Sequence, residues 1–367
     1  MQRSVIRDSR IPPALHAGYI VQMARSIRNP LQIALLLLAL PASAQTSADV
    51  ALYDGADRAQ RLIDAGKREG GFTVYTSAPL DDVGVLTAAF EKTYGIKVRV
   101  WRASSENIVQ RATVEARGGR FDADIFETNG PELEALHRER LLQEVRSPYL
   151  PDLIPAALRP HREWIGTRLN IFTGAYNTRL VRKEDAPRAY DDLLDAKWKG
   201  KLGIEAEDLD WFMSVVSQLG EARGLKLFRD IVAANGLSVR KGHTLLTNLV
   251  VSGEVPVALT VYQYKAEQLK NGGAPIDWFV LPPAVARFQG IGLARRVPHP
   301  NAAVLWVDFM LSDAQALLLK RDFLPASLKA NPSLAATALT FVDPAQVLDE
   351  HDKWARLYKE IITSGGR

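Results

Sequence analysis

The side chains best suited to contact a small solute are hydroxyls and amides that follow three predicted strands early in the chain. They are, in chain order, Thr76 and Ser77, then Ser104 and Ser105, then Thr128 and Asn129. In open α/β sheets, ligands bind at the carboxyl ends of the strands, where such residues lie. The candidate ligand-binding residues from this edge are Thr76, Ser77, Ser104, Ser105 and Asn129.

Ser104 and Ser105 also stand directly before a segment of helical period. Ile108, Val109 and Ala112 lie on one side of it, so one of the two serines caps the helix and satisfies amides of its first turn. Capping alone is a sufficient reason for a serine here. Alternatively, the remaining amides and the positive end of the helix dipole receive an anionic group of the ligand. Both roles can hold at once.

A second set of candidates is aromatic and follows the apolar run Val255 to Val261. Tyr262 and Tyr264 project the same way if the chain stays extended, because side chains alternate along a strand. The alternative is packing in the core or an interface, as for most aromatic residues. Tyr176 and Trp211 are further candidates for contacts with the ligand.

Two groups of charged residues complete the set. The acidic run before Trp211 is Glu205, Glu207, Asp208 and Asp210. Such a run is usually a solvated loop or part of a first helical turn, and less often takes up a ligand amine. Lys241 and His243 flank a glycine and could bind an anion, although surface exposure is the usual role of such residues.

The elements that position the first candidates alternate between strands and helices from Gly71 to Gly130. The predicted strands are Phe72 to Tyr75, Ile96 to Trp101 and Ala123 to Phe126. Between the first two, the apolar residues Leu80, Val83, Leu86, Phe90 and Tyr94 recur at spacings of three and four and predict one buried helical face. The alternation favours a parallel sheet with right-handed crossovers, so we predict an α/β fold.

Residues 1–44 have the pattern of a cleavable secretory signal. Two arginines precede the apolar run Leu31 to Leu40, and an A-x-A site ends at Ala44. The run is too short to cross a bilayer, which takes about 20 apolar residues. We therefore predict export, with cleavage before Gln45. Met23 makes residues 1–22 a candidate upstream extension from a misassigned start codon.

Removal of this leader changes the charge of the protein. The leader carries five of the 46 basic residues and one of the 42 acidic residues, so the remaining chain is close to neutral. A nearly neutral chain lacks the excess of basic residues that is typical of proteins that bind nucleic acid or an anionic membrane. The chain has no cysteine, which excludes disulfides, thiolate metal sites and a lipid-bearing cysteine. These features predict a protein free in the periplasm.

Motifs of exported enzymes are missing from the sequence. It contains no GxSxG, HExxH or GxxxxGK[ST] pattern. The histidines are scattered singly along the chain, so their spacing predicts no metal site. An exported hydrolase is therefore the less favoured alternative, and a purely structural export without a ligand cleft is a third.

The order of several short motifs resembles the extracellular solute-binding proteins of bacterial ABC importers. The motifs are YTS, GIKV, SSENIVQR, DADIFETNG, AYN, LLDAKWKGK, GEVPVALTVYQYKAEQ and HPNAAVLWVDFMLS, between Gly71 and Leu328. They are most similar to the branch with ferric-, phosphonate- and polyamine-type receptors. The resemblance implies a type II periplasmic binding protein fold, in which two lobes are joined by two crossing strands and the ligand is held in the cleft. It places residues 45–168 and 285–367 in lobe one and residues 169–284 in lobe two.

The same resemblance allows the ferric alternative to be weighed. The iron-binding branch uses a histidine in the first loop, a glutamate after the third strand and two adjacent tyrosines. Here the first loop is Thr76-Ser77-Ala78-Pro79, the third ends in Thr128-Asn129 with Glu127 nearby, and only Tyr264 matches a tyrosine of the pair. Tyr264 and Glu127 are metal ligands only if the cargo is ferric iron. We expect no metal site, and favour a small organic or phosphorylated anion, including one that also carries an amine.

These observations predict a periplasmic substrate-binding component of an ABC transporter. It captures a small polar or anionic solute by lobe closure and delivers it to the permease in the inner membrane. The resemblance implies no catalysis and no cofactor, and we expect a monomer that binds no nucleic acid.

Overall fold

The computed structural model describes residues 46–365. The predicted leader and its cleavage before Gln45 lie outside the described residues. The strands are β1 (Gly71–Thr76), β2 (Lys97–Arg102), β3 (Ile125–Asn129), β4 (Leu142–Gln143), β5 (Trp164–Asn177), β6 (Leu202–Glu205), β7 (Ser238–Arg240), β8 (Val257–Tyr262), β9 (Ile276–Phe279), β10 (Val285–Ala294), β11 (Leu324–Pro325) and β12 (Thr340–Phe341).

The helices surround these strands. They are α1 (Ser47–Leu52), α2 (Arg58–Glu69), α3 (Leu80–Tyr94), α4 (Ser105–Arg117), α5 (Gly130–Arg138), α6 (Leu209–Leu219), α7 (Glu221–Asn235), α8 (His243–Ser252), α9 (Gln263–Asn271), α10 (Pro300–Leu311), α11 (Asp313–Leu319), α12 (Pro344–Asp349) and α13 (His351–Tyr358). The last helix continues as a wider turn over Lys359–Thr363, and short 3₁₀ turns occur at Leu150–Asp152, Pro155–Ala157, Lys183–Asp185, Tyr190–Leu194, Ala196–Trp198 and Pro332–Ala336.

The opening unit confirms the predicted alternation of strands and helices. Strand β1 pairs in parallel with both β2 and β3, and α3 and α4 form the crossovers. The predicted limits of the third strand are wrong. Asp124 accepts hydrogen bonds from the amides of Thr73 and His299 (2.8 and 2.7 Å), and the ladder begins only at Ile125. Asn129 is therefore the last residue of β3 rather than part of the loop after it.

Strand β5 links two groups of strands: the first contains β1, β2, β3 and β10, and the second contains β6, β7 and β8. The hydrogen-bonded order is β2-β1-β3-β10-β5-β8-β6-β7. The first part of β5, Trp164 to Ile171, pairs antiparallel with β10, and the last part, Phe172 to Asn177, pairs with β8 and β9. The same chain segment therefore runs from one group of strands into the other.

The return strand β10 is buried along its whole length, and its residues from Ala286 to Gly292 pair with β5. The register of the two strands shifts between Gln289 and Gly290. A Cβ atom at Gly290 would lie 2.5 Å from the carbonyl oxygen of Ile165, so the close approach of these two backbones requires glycine.

Helix α10 lies in the hydrophobic core of the first group of strands. Trp306 on this helix packs against Phe72 of β1 and Phe90 of α3, with ring centroids 5.7 and 5.1 Å apart. Within residues 46–365, no single helix has the length and apolar character to cross a membrane, although the bent pair α10 and α11 meets that criterion when taken together. Residues 302–311 of this pair are all buried in the protein.

Candidate functional site

A cavity of ≈ 800 Å³ lies where β1, β2 and β3 end. Its walls come from both groups of strands joined by β5. The polar and aromatic side chains in its lining include Ser77, Arg102, Ser104, Ser105, Glu106, Asn129, Glu132, Asn170, Glu205, Glu207, Asp208, Asp210, Lys241, His243, Tyr262, Tyr264, Arg287, Gln289 and His351. The cavity thus combines hydroxyls, amides, phenols and a dense set of charges.

Hydroxyls and the start of α4 form one wall of the cavity, which we call the hydroxyl wall. Ser104 is the N-cap of α4 and accepts a hydrogen bond from the amide of Asn107 (3.4 Å). Ser105 accepts one from the side-chain amide of Asn129 (2.9 Å), and Ser77 adds a further hydroxyl. The first amides of a helix have no partner within it and carry the positive end of its dipole, so this wall suits an anion.

Three of the predicted residues do not line the cavity. Thr76 is fully buried at the end of β1, where it donates to Glu127 (3.1 Å) and accepts from the amide of Ala78 (3.0 Å). Its side chain points to the interior because the strand persists through it. Tyr176 and Trp211 are also buried, and their rings pack in the aromatic core. None of these three side chains is in the lining of the cavity.

Glu127 likewise has a structural role. One carboxylate oxygen accepts from Thr76, and the other accepts from Arg168 of β5 (2.8 Å). Both side chains of this ion pair are almost inaccessible to solvent, at 0% and 1%. The pair ties β3 to β5, so the carboxylate expected for a ferric ligand set is already occupied.

Tyr262 and Tyr264 both line the cavity even though β8 ends at Tyr262. Their rings lie nearly parallel at 5.9 Å, and Tyr264 also stacks on Phe323 at 4.1 Å. Burial raises the pKa of both phenols above 10.0. Both tyrosines are therefore neutral donors near pH 7. The packing of Tyr264 means that its loss would remove core contacts as well as a phenol.

Arg287 of β10 is a functional candidate that sequence analysis missed. Its guanidinium donates to Asp210 (2.8 Å) and to the hydroxyl of Tyr262, and one of its nitrogens lies 3.4 Å from Nε2 of His243. It also covers the ring of Phe172, with 5.0 Å to the centroid. The residue stands in an otherwise apolar strand, and that isolated charge was the only signal in the sequence.

The acidic run before Trp211 is mostly buried, so its usual role as a solvated loop does not apply here. Glu205, Asp208 and Asp210 are at most 4% exposed. Glu205 accepts from the amides of Glu207 and Gly242 (2.5 and 2.7 Å). Burial raises the pKa of Glu205, and the neighbouring charge of Asp208 raises it further.

His243 joins this group from the start of α8. Its Nδ1 faces the carbonyl of Thr260 (3.3 Å), and its Nε2 faces Asp208 (3.2 Å). Burial lowers the pKa of His243, but the carboxylate of Asp208 outweighs burial, so the pKa is raised overall. Lys241, by contrast, is exposed and paired with Glu207 (2.6 Å), which is the surface role that the sequence favours.

Glu132 in the first turn of α5 is the second missed candidate. It is partly buried, and its Oε2 has no hydrogen-bond partner within residues 46–365. Burial raises the pKa of this carboxyl to about 8. Attraction by Arg287 lowers the pKa, whereas repulsion by the like charges of Glu106 and Asp210 raises it. Glu132 follows the end of β3 by three residues, and this spacing was its only trace in the sequence.

Two groups of side chains in the described residues bring possible metal ligands within 4.8 Å of one another. In the first, Glu134, His137 and His161, the imidazoles are stacked at 3.7 Å and nearly parallel. Lone pairs lie in the ring planes, so these two rings cannot direct them at one ion. In the second, Glu205, Asp208 and His243, the possible ligand atoms lie in the cavity, and Nε2 of His243 already faces Asp208 at 3.2 Å. Sequence spacing could not reveal either group, because their members meet only in the fold.

A second cavity, of ≈ 860 Å³, is lined by residues around α1, α2 and α10. None of the predicted ligand-binding residues lies in it. It is also not at the carboxyl ends of β1 to β3, so we assign the candidate site to the first cavity.

Comparison with known proteins gives consistent matches. The sequence profile described as bacterial extracellular solute-binding protein matches residues 77–317. "Iron uptake protein A1" of Synechocystis is 24% identical over 280 residues, covering 71% of this chain and 77% of that protein. A Salmonella typhi protein named for binding 2-aminoethylphosphonate is 26% identical over 259 residues, covering 66% of this chain and 74% of that protein.

Solved structures match over most of the chain. Iron-bound HitA from Pseudomonas aeruginosa has a TM-score of 0.69 at 23% identity and covers 79% of this chain and 99% of that one. AfuA from Actinobacillus pleuropneumoniae, with fructose-6-phosphate bound, has a TM-score of 0.70 at 19% identity and covers 80% and 99%. At these identities the likeness establishes the fold, and it confirms the predicted α/β architecture of two lobes joined by crossing strands.

Proposed function

Because this chain belongs to the family of bacterial extracellular solute-binding proteins, we propose that its cavity captures a small anionic solute. Members of the family bind small solutes for ABC importers and are not enzymes. The observation that carries the anionic part is the hydroxyl wall, where the first turn of α4 lines the cavity beside Ser77, Ser104 and Ser105. Such a helix start binds phosphate, phosphonate or carboxylate groups.

Capture proceeds by closure of two lobes around the solute. We assign residues 45–168 and 285–367 to lobe one and residues 169–284 to lobe two. This division is supported by β5, which pairs with β10 in its first part and with β8 and β9 in its last part. The ligand favours the closed form because only that form lets both lobes touch it. A radius of gyration that stays constant in X-ray scattering at saturating ligand would contradict closure.

We infer the cellular location of the protein from its predicted leader and from its family. The protein acts as a monomer in the periplasm after signal cleavage, and the closed form presents a composite surface to an ABC permease in the inner membrane. The near-neutral charge of the chain after the leader supports free diffusion of the protein to that permease. Sequencing of the amino terminus of the exported protein checks the cleavage before Gln45.

Ser105 gives a sharp test of the anion site. It occupies the first position of α4, and Ser104 before it has an extended backbone (φ −67°, ψ 160°), so proline is tolerated at 105. Ser105→Pro removes both the hydroxyl and the backbone N–H, whereas Ser105→Ala removes only the hydroxyl. We expect Ser105→Pro to bind the solute about tenfold more weakly than Ser105→Ala, as for a lost hydrogen bond to a charged group.

The measurement is calorimetric titration with ligands identified in a thermal-shift screen. The screen covers phosphonates, sugar phosphates, amino acids, polyamines, thiamine and ferric complexes, since any ligand of the folded state raises the melting temperature. Equal affinities of the two Ser105 variants would contradict an anion at the helix start. Absence of saturable binding by the unaltered protein to every anion in the screen would contradict the proposed function itself.

Ferric iron is the second candidate cargo, because several relatives are named for iron and the phenols of Tyr262 and Tyr264 line the cavity. Glu127, the carboxylate near the position where the iron-binding branch has its glutamate, is held by Arg168 and Thr76. We therefore expect no visible phenolate-to-iron band when ferric salt is added. Appearance of the band, and its loss in Tyr264→Phe, would support the ferric candidate.

A further inference from the structure

We propose that the wall of the cavity formed by Glu132, Glu205 and Asp208, here called the acidic wall, binds a positively charged nitrogen of the solute. The solute is then a zwitterion, with its anionic group at the hydroxyl wall and its ammonium group at the acidic wall. This inference rests on the proposed function, which supplies the anionic end.

The acidic wall contains acceptors that lack donors. Within residues 46–365, Oε2 of Glu132 and Oδ2 of Asp208 are buried atoms with no hydrogen-bond partner. The cavity lining also contains an unpaired acceptor, Oδ1 of Asn170, and an unpaired donor, Nε of Arg287. Asp208 is 1% exposed, so its unpaired oxygen has no access to bulk water. Buried polar atoms are nearly always paired, and unpaired ones call for a missing partner. An ammonium group carries three donors and no acceptor, which suits unpaired carboxylate oxygens.

The acidic side chains that line the cavity also outnumber the basic ones. The charge of Arg287 is matched by Asp210 at 2.8 Å, and a protonated His243 is matched by Asp208 at 3.2 Å. Within residues 46–365 neither Glu205 nor Glu132 forms an ion pair, and the amides that bond Glu205 are neutral. Arg102 is a further cation in the lining of the cavity. Lys241 is bound to Glu207 at the rim. A ligand hydroxyl would donate hydrogen bonds without favouring the ionised form of these carboxyls, whereas an ammonium group supplies both the donors and the charge that stabilises the carboxylates.

Glu132 links this recognition to the pH. Burial raises its pKa to about 8, so its carboxyl is mostly protonated at pH 7 when the cavity is empty. The titratable and charged groups that share its cavity are Arg102, Glu106, Glu205, Glu207, Asp208, Asp210, Lys241, His243, Arg287 and His351. An ammonium group beside Glu132 stabilises the ionised carboxylate. Binding of the zwitterion at pH 7 therefore releases a proton.

Matched pairs of ligands test the proposal. Each short aminoalkyl phosphonate or carboxylate is compared with the alkyl isostere in which a methyl group replaces the ammonium, for example 2-aminoethylphosphonate with propylphosphonate. We expect the amine-bearing member to bind about tenfold to a hundredfold more tightly in calorimetric titration, the value of a charge-assisted hydrogen bond. Equal or tighter binding of the alkyl member would overturn the inference and leave the anion site standing. Binding of no member of any pair would contradict both proposals.

Variants identify the residues responsible. Glu132→Gln should reduce the preference for the amine by about tenfold, while Glu254→Gln, which changes an exposed acidic residue paired with Arg240 outside the cavity, should leave it unchanged. Titrations in two buffers of different ionisation enthalpy should detect proton release in the unaltered protein and not in Glu132→Gln. Undiminished amine preference or proton release in Glu132→Gln would contradict the role of that carboxyl.

A metal ion is the remaining occupant of this wall, and the same protein tests it. Zinc, manganese and ferric salts are each added alone in thermal-shift measurements, with His243→Gln as the comparison. We expect no stabilisation that depends on His243. A shift that is saturable and lost in His243→Gln would assign the wall to a metal ion and overturn the ammonium subsite.

Discussion

Replacing Arg168 with methionine should lower the free energy of unfolding by about 3–5 kcal/mol, the range for removing one partner of a buried ion pair. Arg168 donates to Glu127 at 2.8 Å, and the two side chains are 1% and 0% exposed. Methionine fills similar space but leaves the carboxylate of Glu127 charged and without its partner. Because this pair joins β3 to β5, its loss weakens the sheet beneath the cavity.

Urea or guanidinium unfolding, followed by tryptophan fluorescence, measures this change. A matched control is Arg182→Met, since Arg182 pairs with Asp185 at the surface and is 74% exposed; a surface pair of this kind contributes about 1 kcal/mol or less. Adding Glu127→Gln to Arg168→Met should recover part of the loss, because the buried charge is then removed. A loss for Arg168→Met no larger than that of the surface control would contradict the structural role assigned to Glu127.

Glu132→Gln should have the opposite effect and stabilise the protein near neutral pH. The pKa of Glu132 is about 8 in the folded protein against an ordinary value of 4.5. A raised carboxyl pKa contributes stability below pH 4.5, and that stability is lost as the pH rises toward 8. Glutamine does not ionise, so the variant should exceed the unaltered protein by about 2–3 kcal/mol at pH 7. The same residue is thus costly to the fold and useful to the ligand.

The decisive measurement is the difference in unfolding free energy between the variant and the unaltered protein from pH 4 to pH 8. Other titrating groups, such as Glu205, are common to both proteins and cancel in this difference. The two proteins should be equally stable near pH 4 and diverge above it. A difference that does not depend on pH would show that Glu132 ionises normally in the folded protein.

Local patterns predicted the elements that build the hydroxyl wall. The spacing of apolar residues identified α3, the serines marked the start of α4, and strand ends drew attention to Ser77 and Asn129. These features depend on neighbours in sequence, which is why they could be predicted. Thr76 does not line the cavity, because β1 extends one residue further than predicted and the side chain of that residue is buried.

The acidic wall depends on contacts between residues far apart in the chain, so sequence patterns could not predict it. Asp210 and Arg287 are separated by 77 positions, and His243 and Arg287 by 44. Buried charges such as these look like surface residues until their partners are known. Tyr262 and Tyr264 were expected to share a side because side chains alternate along a strand. Both do line the cavity, but for a different reason, because the strand ends at Tyr262 and a helix begins at Gln263.

The order of strands along the chain also bears on how the polypeptide acquires its structure. Strand β10 lies between β3 and β5 in the hydrogen-bonded order, although β6 to β9 are all made before it. Until Val285 to Ala294 are available, β3 and β5 therefore present unpaired edges, which favour association with other chains. Folding of the first group of strands must wait for the return strand, so a chain interrupted before Val285 is prone to aggregate rather than to form half of a receptor.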